Sequence, residues 1–302
     1  MKSGSSPVGI GRGRILSGLV GRGILESRSP WMHECEADAL GLHLVYALFD
    51  FTDRSWNDDQ LEAALAAAQW VGFSGLNITF PFKQAVIPLL DELSDGARAI
   101  GAVNTIAFRD GKRIGHNTDV SGFAESFREG LPDVPRGAVL QMGCGGAGSA
   151  TAHALLGDLG IGRIILSDTD SAKSENLRQH LAQRFGEDRV AVSSDVPASA
   201  AQVDGIVNAS PVGMAKFPGL PLPGSAIEPR QWVADVVYFP LETALLAEAR
   251  RKGCKTLHGG GMAVHQAAEA FEIITDHAAD RARMGASFAA FVAEQGAKSA
   301  AA

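Results

Sequence analysis

Several polar side chains stand where an apolar run ends or a glycine-rich turn begins. Ser27 and Ser29 flank Arg28 just before Pro30, and Asn77 and Thr79 alternate with Leu76 and Ile78, with Lys83 one turn beyond. Asn104 and Thr105 follow Gly101-Ala102-Val103, and Asn117-Thr118-Asp119 follows Gly115-His116. Singly, each has a plain structural reading: Ser, Thr, Asn and Asp near turns cap helices or close Asx turns, and a lone Lys is ordinarily solvated. As a set they offer a cation, a carboxylate, hydroxyls and amides, which suit a small polyhydroxylated carboxylic acid. Oxidising a secondary alcohol needs a base at that hydroxyl, and the reverse reduction needs an acid at the carbonyl. Lys83 and Asp119, brought within hydrogen-bond reach, could serve both directions. Pairing favours both charged forms while desolvation opposes them, so the sequence leaves the resting proton on either group.

A second cluster is one of glycines. The apolar run Val139–Met142 leads into Gly143-Cys144-Gly145-Gly146-Ala147-Gly148 and then an Ala-rich helical segment. Gly143, Gly145 and Gly148 fit G-x-G-x-x-G: the first permits the tight turn, the second lets the backbone approach a pyrophosphate, and the third allows close helix–strand packing. Gly146 and Ala147 complete the loop that would lie against the phosphates. The pattern is weak alone. It gains weight because a strand precedes it, a helix follows, and Asp168 closes the next strand twenty residues beyond Gly148. Asp168 can accept hydrogen bonds from ribose hydroxyls and repels a 2′-phosphate, by roughly 1–4 kcal/mol per unit charge at about 4 Å. Ser167-Asp168-Thr169-Asp170 offers no arginine before Arg178, and Lys173, the one nearby cation, follows two carboxylates. NAD is therefore favoured over NADP. Cys144 reads as small filler.

These groups need a scaffold, and the hydrophobic pattern supplies one. Strands are expected at Ile15–Val20, Leu44–Leu48 and Ser74–Ile78, with helices over Pro30–Leu40, Asp59–Trp70 and Lys83–Leu90. Ala102–Phe108 pairs with Arg113–His116 across a D-G hairpin turn. From Asn117 onward, a helix at Val120–Glu129 leads into regular alternation. The strands are Val139–Met142, Arg163–Ser167, Val190–Val192, Gly205–Asn208 and Trp232–Val237; the helices are Gly148–Leu159, Ser171–Phe185 and Thr243–Lys252. Continuous apolar strands alternating with helices mark a parallel sheet covered on both faces. Helices near Ala263–His277 and Ala279–Glu294 close the chain. The expected fold is α/β with two domains and a cleft between them. An α/β substrate-binding domain spans 15–116, completed by C-terminal helices at about 263–294, and a doubly wound Rossmann-type domain spans 117–262.

With 302 residues, the chain suits two domains of ordinary size. A net charge of −7 argues against nucleic acid as a partner. Three dispersed cysteines make no disulfide framework, which points to a reducing, cytoplasmic setting. No apolar run reaches the roughly 18 residues of a membrane helix, and the opening fourteen residues lack a leader's apolar core. The eight histidines show no metal-ligand spacing, so no metal is expected. The expected partner is a small molecule, bound by a monomer or homodimer.

With these motifs in order, the chain resembles the shikimate dehydrogenase family, most closely its quinate/shikimate dehydrogenase branch. The landmarks are Gly18–Gly21, Ser27-Arg28-Ser29-Pro30 with Met32-His33-Glu34, Gly75–Lys83, Gly101–Thr105, Gly115–Asp119, the glycine turn, Asn208–Met214, Asp235–Pro240 and Met262–Ala267. They cover about Leu16 to Met284. The resemblance implies that Lys83 is the catalytic acid/base and Asp119 its charged partner. It also implies that Ser27 and Ser29 hold the substrate carboxylate, and that Thr79, Asn104 and Gln266 read the ring hydroxyls. Tyr238 would stand at the rim and Met214 beside the nicotinamide. The implied reaction moves a hydride between nicotinamide and C3 of a cyclohexene or cyclohexane carboxylic acid, shikimate or quinate. Departures occur at Glu26, where many members carry His, and at His258, Gly260 and Ala263 in the last loop. Ser29 is Thr in some quinate-using relatives. Shikimate, quinate and an amino-substituted ring all stay open as substrates. A non-catalytic nucleotide sensor is the rival reading, opposed by the intact Lys83/Asp119 pair.

Overall fold

The computed structural model describes residues 14–300, with 294–300 described by backbone alone. The start of the chain, where no leader core is expected, lies outside the described residues except for Arg14. The first sheet is built from β1 (Arg14–Gly21), β2 (His43–Asp50), β3 (Gly75–Ile78), β4 (Glu92–Leu93), β5 (Thr105–Arg109) and β6 (Lys112–His116), in the order β2-β1-β3-β5-β6-β4. Around it run α1 (Ser29–Ala39), α2 (Leu61–Val71), the short α3 (Phe82–Ala85) and α4 (Asp95–Ile100). β1, β2 and β3 are parallel, and β5 reverses direction against β3. The hairpin β5–β6 turns on Asp110 and Gly111 at φ +51° and +78°, the two left-handed residues that a tight hairpin requires.

Helix α5 (Asp119–Gly130) leads to a second sheet that is parallel throughout. Its strands are β7 (Ala138–Met142), β8 (Arg163–Ser167), β9 (Val190–Val192), β10 (Gly205–Asn208), β11 (Trp232–Asp235) and β12 (Lys255–Leu257), in the order β12-β11-β10-β7-β8-β9. The helices between them are α6 (Gly146–His153), α7 (Ser171–Phe185), α8 (Val196–Ala200) and α9 (Ala244–Arg251). This is the doubly wound dinucleotide-binding order, with its switch point between β7 and β10. Successive strand residues enter cores on opposite faces: Val139 packs with Phe127, Leu155 and Trp232, whereas Leu140 packs with Ile206, Val233 and Leu245.

Helices α10 (Gly260–Thr275) and α11 (Arg281–Ala300) return to the first sheet. Arg109 donates to the carbonyls of Ile273 and Ile274. The fully buried Glu36 of α1 accepts two hydrogen bonds from Arg283 and one from the Asp280 amide. Helix α10 also lies against α5, where a Cβ on Gly122 would come within 2.9 Å of Gln266.

The structure corrects several sequence-based boundaries. The helix expected over Lys83–Leu90 ends at Ala85 and continues as a 3-10 turn, Ile87–Leu89, because Pro88 has no N–H and its ring crowds the preceding turn. The helix expected to reach Leu159 ends at His153 and relaxes into a π-turn over Ala154–Asp158. β11 stops at Asp235 rather than Val237, since the Asp235 carboxylate takes the Val237 amide that would have extended the ladder. The last helix runs on to Ala300. The short elements β4, α8 and β12 carry too little periodic sequence to be foreseen. Among the described residues, no helix is long and apolar enough to cross a membrane, and no group of three His, Cys, Asp or Glu side chains is placed to hold a metal ion.

Candidate active site

Strand β3 is buried along its whole length, and the chain leaves it through Thr79 to α3, which carries Lys83. Asp119 is the first residue of α5, its amide held by the Asn117 side chain at 3.0 Å. The Lys83 ammonium reaches Asp119 Oδ2 at 2.5 Å, with the two side chains only 18% and 8% exposed. A pair so shielded from water keeps a fixed geometry that an exposed pair would not. The Lys83 stem lies across the glycine turn of the other sheet: a Cβ on Gly146 would stand 3.2 Å from Lys83 Cδ. The Lys83–Asp119 pair therefore abuts the glycine turn of the second sheet.

Behind that pair runs a buried chain of polar groups. Tyr46 O–H donates to Asn77 Oδ1 at 2.7 Å, and Asn77 Nδ2 donates to Thr105 Oγ1 at 3.0 Å. Thr105 donates to Asn104 Oδ1, Asn104 Nδ2 donates to Thr118 Oγ1, and Thr118 donates on to the Gln266 carbonyl. The Asn104 oxygen also accepts the Thr118 amide, which fixes the orientation of its amide group and leaves one of its two N–H donors uncommitted. Such a fully connected network holds its members rigidly. Tyr46, Asn77, Thr105 and Thr118 span β2 to α5. The sequence reading noted Asn77, Thr105 and Thr118 only as members of a polar set and passed over Tyr46. Its signal was a tyrosine at an inward strand position, where a buried hydroxyl needs a partner. Burial pushes the Tyr46 phenol well above its ordinary value.

The other candidate residues distribute around this centre. Ser27 and Ser29 sit together at the start of α1, their hydroxyls 3.3 Å apart. Thr79 is half-buried, its methyl directly over Gly21, where a Cβ would collide at 2.4 Å. Gln266 stands on α10 beside Gly122, with its Nε2 donated back to the Ala263 carbonyl, so its oxygen is the free end. Tyr238 stays 38% exposed beside Phe288.

On the other wall, Gly143 adopts φ +95°, which favours glycine. Gln141, buried in β7, donates to the carbonyls of Gly143 and Gly148 at 3.1 and 2.8 Å and accepts from Thr151, pinning both ends of the turn. Sequence patterning shows Gln141 only as a polar break in an apolar strand. α6 begins after Gly145 with no side-chain cap, and a Cβ on Gly145 would meet nothing within 4 Å. Bare amides at a helix start facing open space, beside residues with no side-chain bulk, fit a dinucleotide pyrophosphate. Ala147 lies half-buried in the first turn. Asp168 accepts the Cys144 amide at 2.7 Å and the Asp170 amide at 2.9 Å, so it braces the turn. Lys173 is exposed on the first turn of α7, whose cap is Asp170. Burial, with Asp168 adding to it, pushes the Cys144 thiol up to about 12, in keeping with a filler role.

Met214 is 40% exposed on the turn after β10. Asn208 organises that turn: its Nδ2 donates to the Val212 carbonyl and to Asp235, and its oxygen accepts from Ser210. Desolvation pushes the Asp235 carboxyl up to about 6, against the hydrogen bonds from Thr243, Val237 and Asn208. With the folded value above the unfolded one, Asp235 contributes stability fully below about pH 4, and this is lost as pH rises through about 6. Asp235→Asn is therefore expected to gain on the parent by about 2–3 kcal/mol between pH 4 and 7. Denaturant melts of both proteins across that range check it; parallel pH profiles would refute the assignment.

Comparison with known proteins agrees with this geometry. Residues 19–106 match the model of the shikimate dehydrogenase substrate binding domain. Shikimate dehydrogenase (NADP(+)) of Streptomyces avermitilis is 49% identical over 276 residues, 91% of this chain and 94% of that protein. Quinate/shikimate dehydrogenase (NAD(+)) of Corynebacterium efficiens is 45% identical, over 91% of this chain and 97% of its own. Among solved structures, quinate dehydrogenase from Corynebacterium glutamicum in complex with NAD superposes with a TM-score of 0.86 at 42% identity, covering 92% of this chain and 99% of that one. A paired lysine and aspartate set against a dinucleotide turn, in a chain alike over nine-tenths of its length to these enzymes, leads to one conclusion: this protein belongs to the shikimate dehydrogenase family.

Proposed function

We propose that this chain is an NAD-preferring dehydrogenase that interconverts shikimate and 3-dehydroshikimate and also accepts quinate, with Lys83 as acid/base and Asp119 as its partner. The observation that carries the reading is the 2.5 Å Lys83–Asp119 contact, shielded from solvent and lying against Gly146. The bound dinucleotide supplies the hydride acceptor, or the hydride donor in reduction. In oxidation Lys83 Nζ, as the neutral amine, takes the proton of the ring hydroxyl as the hydride leaves and becomes the ammonium that Asp119 holds and balances; in reduction that ammonium returns the proton to the carbonyl oxygen. Asn104, through its free N–H, with Thr79 and the Gln266 oxygen, reads the ring hydroxyls. Ser27 and Ser29 hold the carboxylate, Tyr238 closes the rim, and Met214 packs beside the nicotinamide.

The turn glycines Gly143, Gly145, Gly146 and Gly148, with Ala147, receive the pyrophosphate. Asp168 selects NAD through the ribose hydroxyls, with Lys173 at the outer edge. The division of labour places residues 15–116 and the helices after 262 on the substrate side, and 117–262 on the nucleotide side. Relatives of similar identity carry NADP(+) and NAD(+) in their names, so cofactor choice must come from local residues. Following reduced nicotinamide by absorbance, with each acid paired with each cofactor, tests the whole reading; no turnover of shikimate or quinate with either cofactor would end it. Asp168→Ser is expected to lower kcat/KM for NAD and to raise that for NADP, shifting their ratio by about tenfold or more, the equivalent of 1.4 kcal/mol. An unchanged ratio would remove Asp168 from cofactor selection.

A further inference from the structure

One cation of this site has no assigned task. Arg28 lies between Ser27 and Ser29 and is only 6% exposed. Its guanidinium carbon lies over two rings, 4.6 Å from the centroid of Phe239 and 4.1 Å from that of Phe291. Among the described residues, no carboxylate lies within ion-pairing distance of it and its N–H groups reach no acceptor. Every other arginine buried to this depth would be expected to have found a partner, since an unpaired buried charge is costly. Burial draws its pKa down, while the Tyr238 phenol and Glu26 oppose that effect.

This placement decides what Arg28 can do. The guanidinium carbon lies over two aromatic rings, so its N–H edge is the part left to take a partner, and that edge suits an anion lying in its plane. Arg28 and Ser27 line one groove of about 520 Å³, with Glu26, Trp31, Phe239 and Phe291 around it. Lys83 and Asp119 cancel each other's charge, and Arg28, which shares its groove with Glu26 and Glu34 without an ion pair to either, is the remaining cation next to the serines. From this arrangement we infer that Arg28 is a specificity-determining residue, its guanidinium held by Phe239 and Phe291 as the counter-charge for the substrate carboxylate beside Ser27 and Ser29. The inference rests on the proposed function above. It predicts that the enzyme discriminates by charge at one end of the ring while the proton-moving pair acts at the other. Glu26, exposed on the same groove, sets a local cost for the incoming anion that Arg28 offsets.

The test compares shikimate with its neutral methyl ester, each with NAD, in the parent and in Arg28→Met and Arg28→Lys. Arg28→Met should raise KM for shikimate by about 10- to 100-fold, the loss expected for one charge-assisted contact, with kcat and KM for NAD nearly unchanged. Turnover of the ester should be the same in both proteins, and Arg28→Lys, which keeps the charge without the planar edge, should recover only part of the lost affinity. Equal losses on acid and ester would show that Arg28 only braces the fold, and unchanged KM for the acid would show that it plays no part; either result overturns the inference while parent activity on shikimate keeps the functional reading intact. Should the parent turn over neither acid, both readings fall. If Arg28→Met does not fold, Arg28→Gln removes the charge while keeping a polar edge, and is held to the same comparison.

Discussion

Replacing Lys83 by Met is expected to lower kcat by on the order of 10²- to 10⁴-fold, the usual contribution of a positioned acid/base, while NAD affinity changes little. Methionine is chosen because the Lys83 stem packs on Gly146, and an unbranched apolar chain preserves that contact. It deletes only the ammonium that meets Asp119. On the proposed mechanism the lost group acts where the proton leaves the ring hydroxyl, so the loss falls on turnover and persists at saturating substrate. Steady-state kinetics with both substrates varied, together with a fluorescence titration of NAD, separate the two quantities. A variant that keeps parental kcat would show that the proton goes elsewhere.

An effect of similar size, of different origin, is expected at Gly148. A Cβ there would stand 2.1 Å from the Gly143 carbonyl oxygen and 3.2 Å from Gln141 Nε2. Neither neighbour can retreat, because the same Gln141 amide group holds both the Gly143 and Gly148 carbonyls. Gly148→Ala must therefore push α6 off β7, opening the turn to whose amides we assign the pyrophosphate. We expect NAD affinity to fall by about 100-fold, or some 3 kcal/mol, and the cofactor-free protein to lose about 1–3 kcal/mol of stability through overpacking. Calorimetric titration and thermal melts without nucleotide measure the two separately. Gly145→Ala is the control, since its Cβ would meet no protein atom and should cost stability little.

The second sheet was the most legible part of the sequence. Its strands are short and mostly apolar, and four of its elements, β8, α7, β9 and β10, begin and end where the pattern places them. There, alternation and local punctuation agree with the tertiary structure. The first sheet was harder to read because β5 inserts antiparallel between β3 and β6, a reversal that depends on which neighbours are free to pair. Among site residues, Lys83 and Asp119 announce themselves by chemistry, and their meeting depends on α5 beginning at the end of β6. Gln141 was missed because it acts from inside a strand on the turn that follows, and Tyr46 because its partner Asn77 lies on another strand, 31 residues away. Hydrogen-bond completion at long range leaves no periodic trace.

The return of α10 and α11 to the first sheet has a consequence for how this protein is made. Glu36, emerging early from the ribosome, has its guanidinium partner at Arg283, 247 residues later. Until that stretch has been translated, the amino-terminal lobe carries an unneutralised interior acid and lacks the helices that seal it. The Rossmann lobe, contiguous in sequence, can complete its core first. A chain cut short before Arg283 should therefore retain a folded nucleotide lobe beside a protease-sensitive partner, and assembly of the full enzyme waits on its carboxyl end.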